Sequence, residues 1–184
     1  INNINAPREY TSKWVKTQFA SGMNAETLAS TEKLLMGYTK IASARRPEAM
    51  NLDVYSAKNG DAQAHSDKCE ALMDNCKEIY ESLNGNVKDA FFQTVYYPLM
   101  GNMNVQKMWT DCTINHFLAS INAMIANEYG EKVKKALKFD KELIDELHAF
   151  NNGRWYGMGM SQHIGFKHWN EEECQYPIIY SKKP

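Results

Sequence analysis

The sequence predicts an all-α fold, an antiparallel bundle of about five helices followed by a Gly/Trp/Met-rich C-terminal loop. Three observations carry that expectation. Apolar residues recur at intervals of three and four over most of the chain, which places them on one face of an α-helix. Residues that start or stop helices stand at the ends of these periodic stretches. Period-two alternation of strand length is missing, although Tyr176 to Tyr180 would suit one short extended segment.

Taken in order, Pro7 suits a first helical position, where its missing N–H would have no partner in any case. Trp14, Val15, Gln18 and Phe19 follow at helical spacing, and Gly22 ends the segment. Asn24 caps a second helix whose stripe is Leu28, Thr31, Leu35, Tyr38 and Ile41/Ala42. That helix stops before Pro47, whose ring disfavours the helical conformation at Arg46. Residues 47–60 read as a connecting loop ending in Asn59-Gly60, after which Asp61 caps a third helix. Its buried face is Cys69, Leu72/Met73, Cys76, Ile79/Tyr80 and Leu83, with Gly85 just past its end. Asn86, with Asp89 three residues on, opens a fourth helix whose apolar set starts at Val87 and continues to Ala126. Pro98 and Gly101 predict a kink or short break in it near 98–104. The stretch 112–126 is apolar almost all round, as a central helix would be. Gly130 punctuates again, and Val133, Leu137, Ile144, Leu147 and Phe150 belong to one or two final helices, with Asp140 as a cap between them.

Composition narrows the function. The 184 residues read as a single helical domain, 1–184. Lys and Arg number 21 against 22 Asp and Glu, a net charge of −1, so there is no basic field to attract a phosphate backbone. No apolar run approaches the roughly 20 residues that cross a bilayer. Packing bulk comes from 10 Met, 10 Tyr and 4 Trp. Ile1 is no initiator Met and no basic-then-apolar signal segment follows it, so the chain is expected to be a processed product or a piece of something larger. Cys69 and Cys76 are seven residues apart, about 10 Å along one helix and too far for a mutual disulfide. With Cys112 and Cys174 they read as buried small hydrophobes.

Motifs for catalysis are missing: no GxSxG, no Gly-rich phosphate loop followed by Lys, no HExxH. Carboxylates are scattered over helix surfaces, so no catalytic residue, metal or cofactor is predicted. Asp145-Glu-Leu-His148 is the nearest approach to the Glu-x-x-His pair of a di-metal bundle, and it stands alone. His163, His168 and Cys174 match no zinc spacing. His116 reads as a hydrogen-bonded core histidine, and Glu171 to Glu173 as a solvated acidic turn. Arg45 and Arg46 complement the dipole at a helix end, with an ion pair to Glu48 or another carboxylate.

From Gly153 the helical pattern ends. The stretch Gly153 to Trp169 carries four of the chain's 10 Gly, two of its 4 Trp and two of its 5 His. The favoured reading has it lying along the bundle and completing the core with Trp155, Met158, Met160 and Trp169. The functional alternative makes it the edge of a ligand site, an aromatic ring facing a sugar and Arg154 facing a carboxylate.

Three stretches together resemble a known family: Arg45-Arg-Pro-Glu48, then Lys88-Asp-Ala-Phe-Phe-Gln-Thr-Val-Tyr-Tyr-Pro98, then the Gly153–Trp169 loop with its Gly-Arg-Trp, its Met pair and its Gln-His-Ile-Gly-Phe. Their order and spacing are similar to the helical domain of glycoside hydrolase family 115, the xylan α-1,2-glucuronidases, from about Pro7 to Pro177. Arg154 stands where that family usually has Lys, and Phe166 where it usually has Tyr. The resemblance implies a helical accessory domain within a larger enzyme that removes (4-O-methyl)glucuronic acid from glucuronoxylan with inversion. The catalytic carboxylates would lie on a barrel outside these 184 residues, leaving this segment inactive alone. Expected partners are the barrel and β-sandwich domains of the same parent chain, glucuronoxylan through that enzyme, and a second copy in a homodimer. A secreted, periplasmic or cell-surface location follows from the same resemblance. The expected rim of the substrate cleft is Arg154, Trp155, Met158, Met160, His163 and Trp169.

Overall fold

A computed structural model describes residues 6–46 and 49–158. Among them the regular elements are all helical: α1 (Ala6–Phe19), α2 (Ala25–Ala44), α3 (Asp61–Ser82), α4 (Gly85–Phe91), α5 (Tyr97–Leu118) and α6 (Ala123–Gly153). A π-helical turn at Phe92–Tyr96 joins α4 to α5, so 85–118 is one continuous run and the described residues form five helical segments with no strand. The all-α class therefore holds, while Tyr176 to Tyr180 lie outside the described residues. The chain divides into two compact units, Ile1–Ala44 with Ala71–Met100, and Arg45–Glu70 with Gly101–Pro184.

In the first unit, Asn24 caps α2 as its position predicts, its Oδ1 accepting the Thr27 N–H at 2.8 Å. Phe19 is fully buried, edge-on to Trp14 at 5.6 Å and tilted against Phe91 at 5.8 Å between ring centroids. On α2 the buried apolar residue is Leu34, beside Thr31, while Leu35 is only half-buried. Either can lie on an amphipathic face at 100° per residue, and the packing selects the former. Cys76 and Ile79 on α3, and Leu83 just past its end, are buried as their spacing predicts, and the Tyr80 ring lies 4.3 Å from that of Tyr96. The α1–α2 turn passes so close to α4 that a Cβ on Gly22 would meet the Val87 Cβ at 2.8 Å.

The run 85–118 departs from expectation twice. It begins at Gly85, not Asn86, with Asn84 as the extended residue before it; Gly85 itself takes φ +56°, a left-handed value that its missing Cβ allows. There is no break at 98–104; the irregularity is the π turn one step earlier. Pro98 has no N–H to give and its ring crowds the carbonyl four residues back, so the ladder widens ahead of it and closes again as α5.

In the second unit, residues 103–106, 108 and 110–115 of α5 are buried, making 103–115, not 112–126, its enclosed stretch. α5 stops at Leu118. Asn122 is extended (φ −147°, ψ 90°) and its side chain accepts the Ile125 N–H at 3.2 Å, so the helix expected to reach Ala126 is interrupted and restarted by a cap. α6 runs unbroken past Gly130 and Asp140, both buried, so neither punctuates it. Val105, Met108, Cys112, Val133 and Ala136 form the apolar core, with Leu52, Trp109 and Leu137 packed on it.

Candidate functional site

The last turn of α6 builds the described part of the expected rim. Phe150 leaves the helical conformation (φ −57°, ψ 131°), and Asn151, Asn152 and Gly153 follow with φ of 47°, 57° and 84°. Asn and Gly enter this left-handed region at the least cost, so the Asn-Asn-Gly sequence itself dictates the turn. It is closed by Arg154 N–H to Phe150 O (3.2 Å), Tyr156 N–H to Gly153 O (2.9 Å) and Met158 N–H to Trp155 O (3.0 Å).

The turn brings two predicted residues together, the Arg154 guanidinium lying 5.3 Å above the half-buried Trp155 ring. Met158 is 66% exposed and Tyr156 77% exposed, so Met158 does not complete the core, contrary to the favoured expectation. The left-handed turn ends the helix before that side chain reaches a packed position. Met160, His163 and Trp169 lie outside the described residues, as do Pro47, Glu48, His168 and Cys174. His148, which the sequence offers only as the end of Asp145-Glu-Leu-His148, lies 5.3 Å from the Tyr156 ring, and its buried Nε2 has no hydrogen-bond partner among the described residues.

A second cluster is not foreshadowed by any motif. The second unit buries a polar network between the first half of α3 and the enclosed stretch of α5. Ser66 Oγ donates to Asp111 Oδ1 at 2.7 Å, and Lys107 Nζ donates to Asp111 Oδ2 at 2.8 Å, with Glu70 3.9 Å from the same ammonium. The two amide protons of Gln106 go to Arg45 O (3.0 Å) and Asn102 Oδ1 (3.1 Å). Its Oε1 is therefore the acceptor for His65 Nε2 at 2.8 Å, which fixes the proton on that nitrogen. Burial holds the imidazole below its ordinary range, the Gln106 bond working against it and Lys68 adding to it. Tyr129 on α6 donates its hydroxyl to Gln63 Oε1, and Gln63 Nε2 donates to Asp67 Oδ1 at 2.6 Å.

The chemistry available to this network is limited by how fully its groups are engaged. Lys107 is neutralised by Asp111, and the neutral His65 spends its donor on Gln106. Burial pushes the thiols of Cys69, Cys76 and Cys112 up to about 12, which keeps them protonated and poor nucleophiles. Among the described residues no three His, Cys, Asp or Glu side chains stand close enough to hold a metal ion. In the first unit, a groove of about 750 Å³ along α1 sets Arg8, Lys13 and Lys16 beside Glu9 and Glu32, so it offers no single sign of charge. No protein-family model matches the chain, and neither does any curated protein.

Proposed function

We propose that this chain is a helical scaffold or accessory domain of a glycoside hydrolase that removes (4-O-methyl)glucuronic acid side groups from glucuronoxylan, with the catalytic barrel outside these residues. The resemblance carried by Arg45–Glu48, Lys88–Pro98 and Gly153–Trp169 names the enzyme class. The observation that supports an accessory role is the turn after α6: a loop closed by backbone hydrogen bonds that leaves Tyr156 and Met158 exposed beside the Arg154–Trp155 pair. Exposed apolar surface at a fixed turn marks a contact site, and a cation over an indole matches a uronate carboxylate and a sugar face. The interior network spends its donors and acceptors on holding helices together.

The test uses the complete natural enzyme on glucuronoxylan. Trp155→Ala and Arg154→Ala are each expected to lower kcat/KM for uronic acid release about tenfold, the loss of one contact of about 1.4 kcal/mol, with the melting temperature little changed. Unchanged kcat/KM in both variants would remove the turn from the substrate cleft. A second reading, a free-standing helical interaction module, draws on the exposed corner at Phe117, Ile121, Met124 and Ile125 between α5 and α6. Intact mass in the natural host separates the two, since an accessory domain requires a native chain several times heavier than 21.1 kDa.

A further inference from the structure

Within the first unit, α2 and α3 leave between them a groove of about 610 Å³. Its floor is apolar: Met36 and Gly37 on α2 and Leu72 on α3 line it, each half-buried. Leu72 lies against the bare backbone of Gly37, its Cδ2 standing 2.9 Å from where a Cβ would be, so no side chain rises from α2 at that point. The rim carries charge of one sign. Lys33 and Lys40 line the groove from α2, both exposed, Asn75 lines it from α3, and no carboxylate is among the lining residues. Neither lysine is in an ion pair among the described residues. The groove along α1 is different, since there the cations already stand beside Glu9 and Glu32.

Unpaired cations along an apolar floor are complementary to an anionic, amphipathic occupant. Their spacing says which kind. Lys33 and Lys40 are seven residues apart on one helix, two turns along the same face, which is about 10 Å of rise. A small amphiphile with one carboxylate meets only one of them. A helix laid along α2 meets both if it carries acids at i and i+7, and its residues at i+3 and i+4 then fall between the lysines, over Gly37 and Leu72. We propose that this groove is the docking site for an acidic amphipathic helix of a partner protein, its two carboxylates paired with Lys33 and Lys40 and its apolar side chains seated on Gly37 and Leu72. The proposal goes beyond the hydrolase reading and does not rest on it, because it uses no residue of the turn after α6 and no uronate chemistry.

The experiment is an NMR titration of the full chain, labelled with nitrogen-15, by a capped helical peptide of about 14 residues. The peptide is built of Ala and Gln, with Glu at its positions 3 and 10 and Leu at 6 and 7. Amide shifts are expected to change over 33–40 and 72–75 and to approach saturation by about 1 mM peptide, while those of α5 stay still. Lys33→Glu and Lys40→Glu replace exposed side chains, so both variants should fold, and each should weaken binding about fivefold. A peptide with Lys at positions 3 and 10 should bind the doubly substituted chain better than the parent, a reversal that a merely structural effect of the substitutions would not produce. No shift changes at about 1 mM, equal binding by a peptide with its acids on different faces at positions 3 and 8, or binding indifferent to both lysines would each overturn the proposal. Two other occupants have their own signatures, and either would also overturn it. Vesicles of anionic phospholipid that shift the same residues without competition from the peptide would mark a membrane site, and shifts that move with the concentration of the chain alone would mark a second copy.

Discussion

Asp111 is fully buried, and each of its oxygens has a partner: Ser66 on one, Lys107 on the other. Lys107 is itself only 13% exposed, with Glu70 as a more distant second partner at 3.9 Å. Removing the carboxylate strands the ammonium and the Ser66 hydroxyl in a dry interior. Asp111→Ala is therefore expected to cost about 3–5 kcal/mol, a drop of about 10 °C in thermal unfolding followed by circular dichroism. Glu70→Ala, at a side chain 57% exposed, should stay within about 0.5 kcal/mol. A loss at Asp111 no larger than at Glu70 would mean that the pair is solvated in solution. None of this is visible in the sequence. Ala62, His65, Ser66 and Cys69 continue the buried face of α3 at the correct spacing, but a search for hydrophobic period starts at Cys69 because it passes over polar residues. Likewise, nothing in one sequence separates Asp111 from the other carboxylates among 22.

Among the elements, helix starts with a backbone-level reason are readable and those depending on packing are not. Asn24 and Asp61 mark starts, and α2 ends short of Pro47. The α5–α6 break has no Gly or Pro, and its one signal is Asn122, three residues before the Ile125 whose N–H it accepts. Two glycines test how closely elements approach. A Cβ on Gly22 would lie 2.8–3.1 Å from the branched carbons of Val87, which cannot swing aside, so Gly22→Ala should cost about 1–3 kcal/mol. Gly37 in α2 meets only the end of the Leu72 side chain, at 2.9 Å. That methyl can rotate away, and Ala gains about 1 kcal/mol of helix propensity, so Gly37→Ala should change stability by less than about 1 kcal/mol. Urea midpoints of the two variants check the contrast, and equal losses would refute it.

For the molecule as a whole, composition separates classes well. No described helix is long and apolar enough to cross a membrane, and the charges balance. The partition into two units is not legible, because α3 and the 85–118 run each pass through both and leave no linker to read. The π turn bears on how such a long run tolerates length changes. Phe91, Val95 and Leu99 of the first unit are all buried, at steps of four residues. In a regular α-helix eight residues overshoot two full turns by about 80°, which would carry Leu99 off the stripe. The widened turn at Phe92–Tyr96 absorbs roughly one residue, about 100°, and returns it. Residue number and azimuth thus fall out of step by one along this helix, so a deletion there need not rotate the turns beyond it. A chain lacking Thr94, with Pro98→Ala so that the ladder can close, is expected to keep both faces and unfold within a few degrees of the parent. The same deletion in the unwidened stretch at Lys138 would turn the rest of α6 by about 100° and expose Leu143 and Leu147. Among the described helices, the π turn is a point where the loss of one residue can be taken up by the backbone ladder.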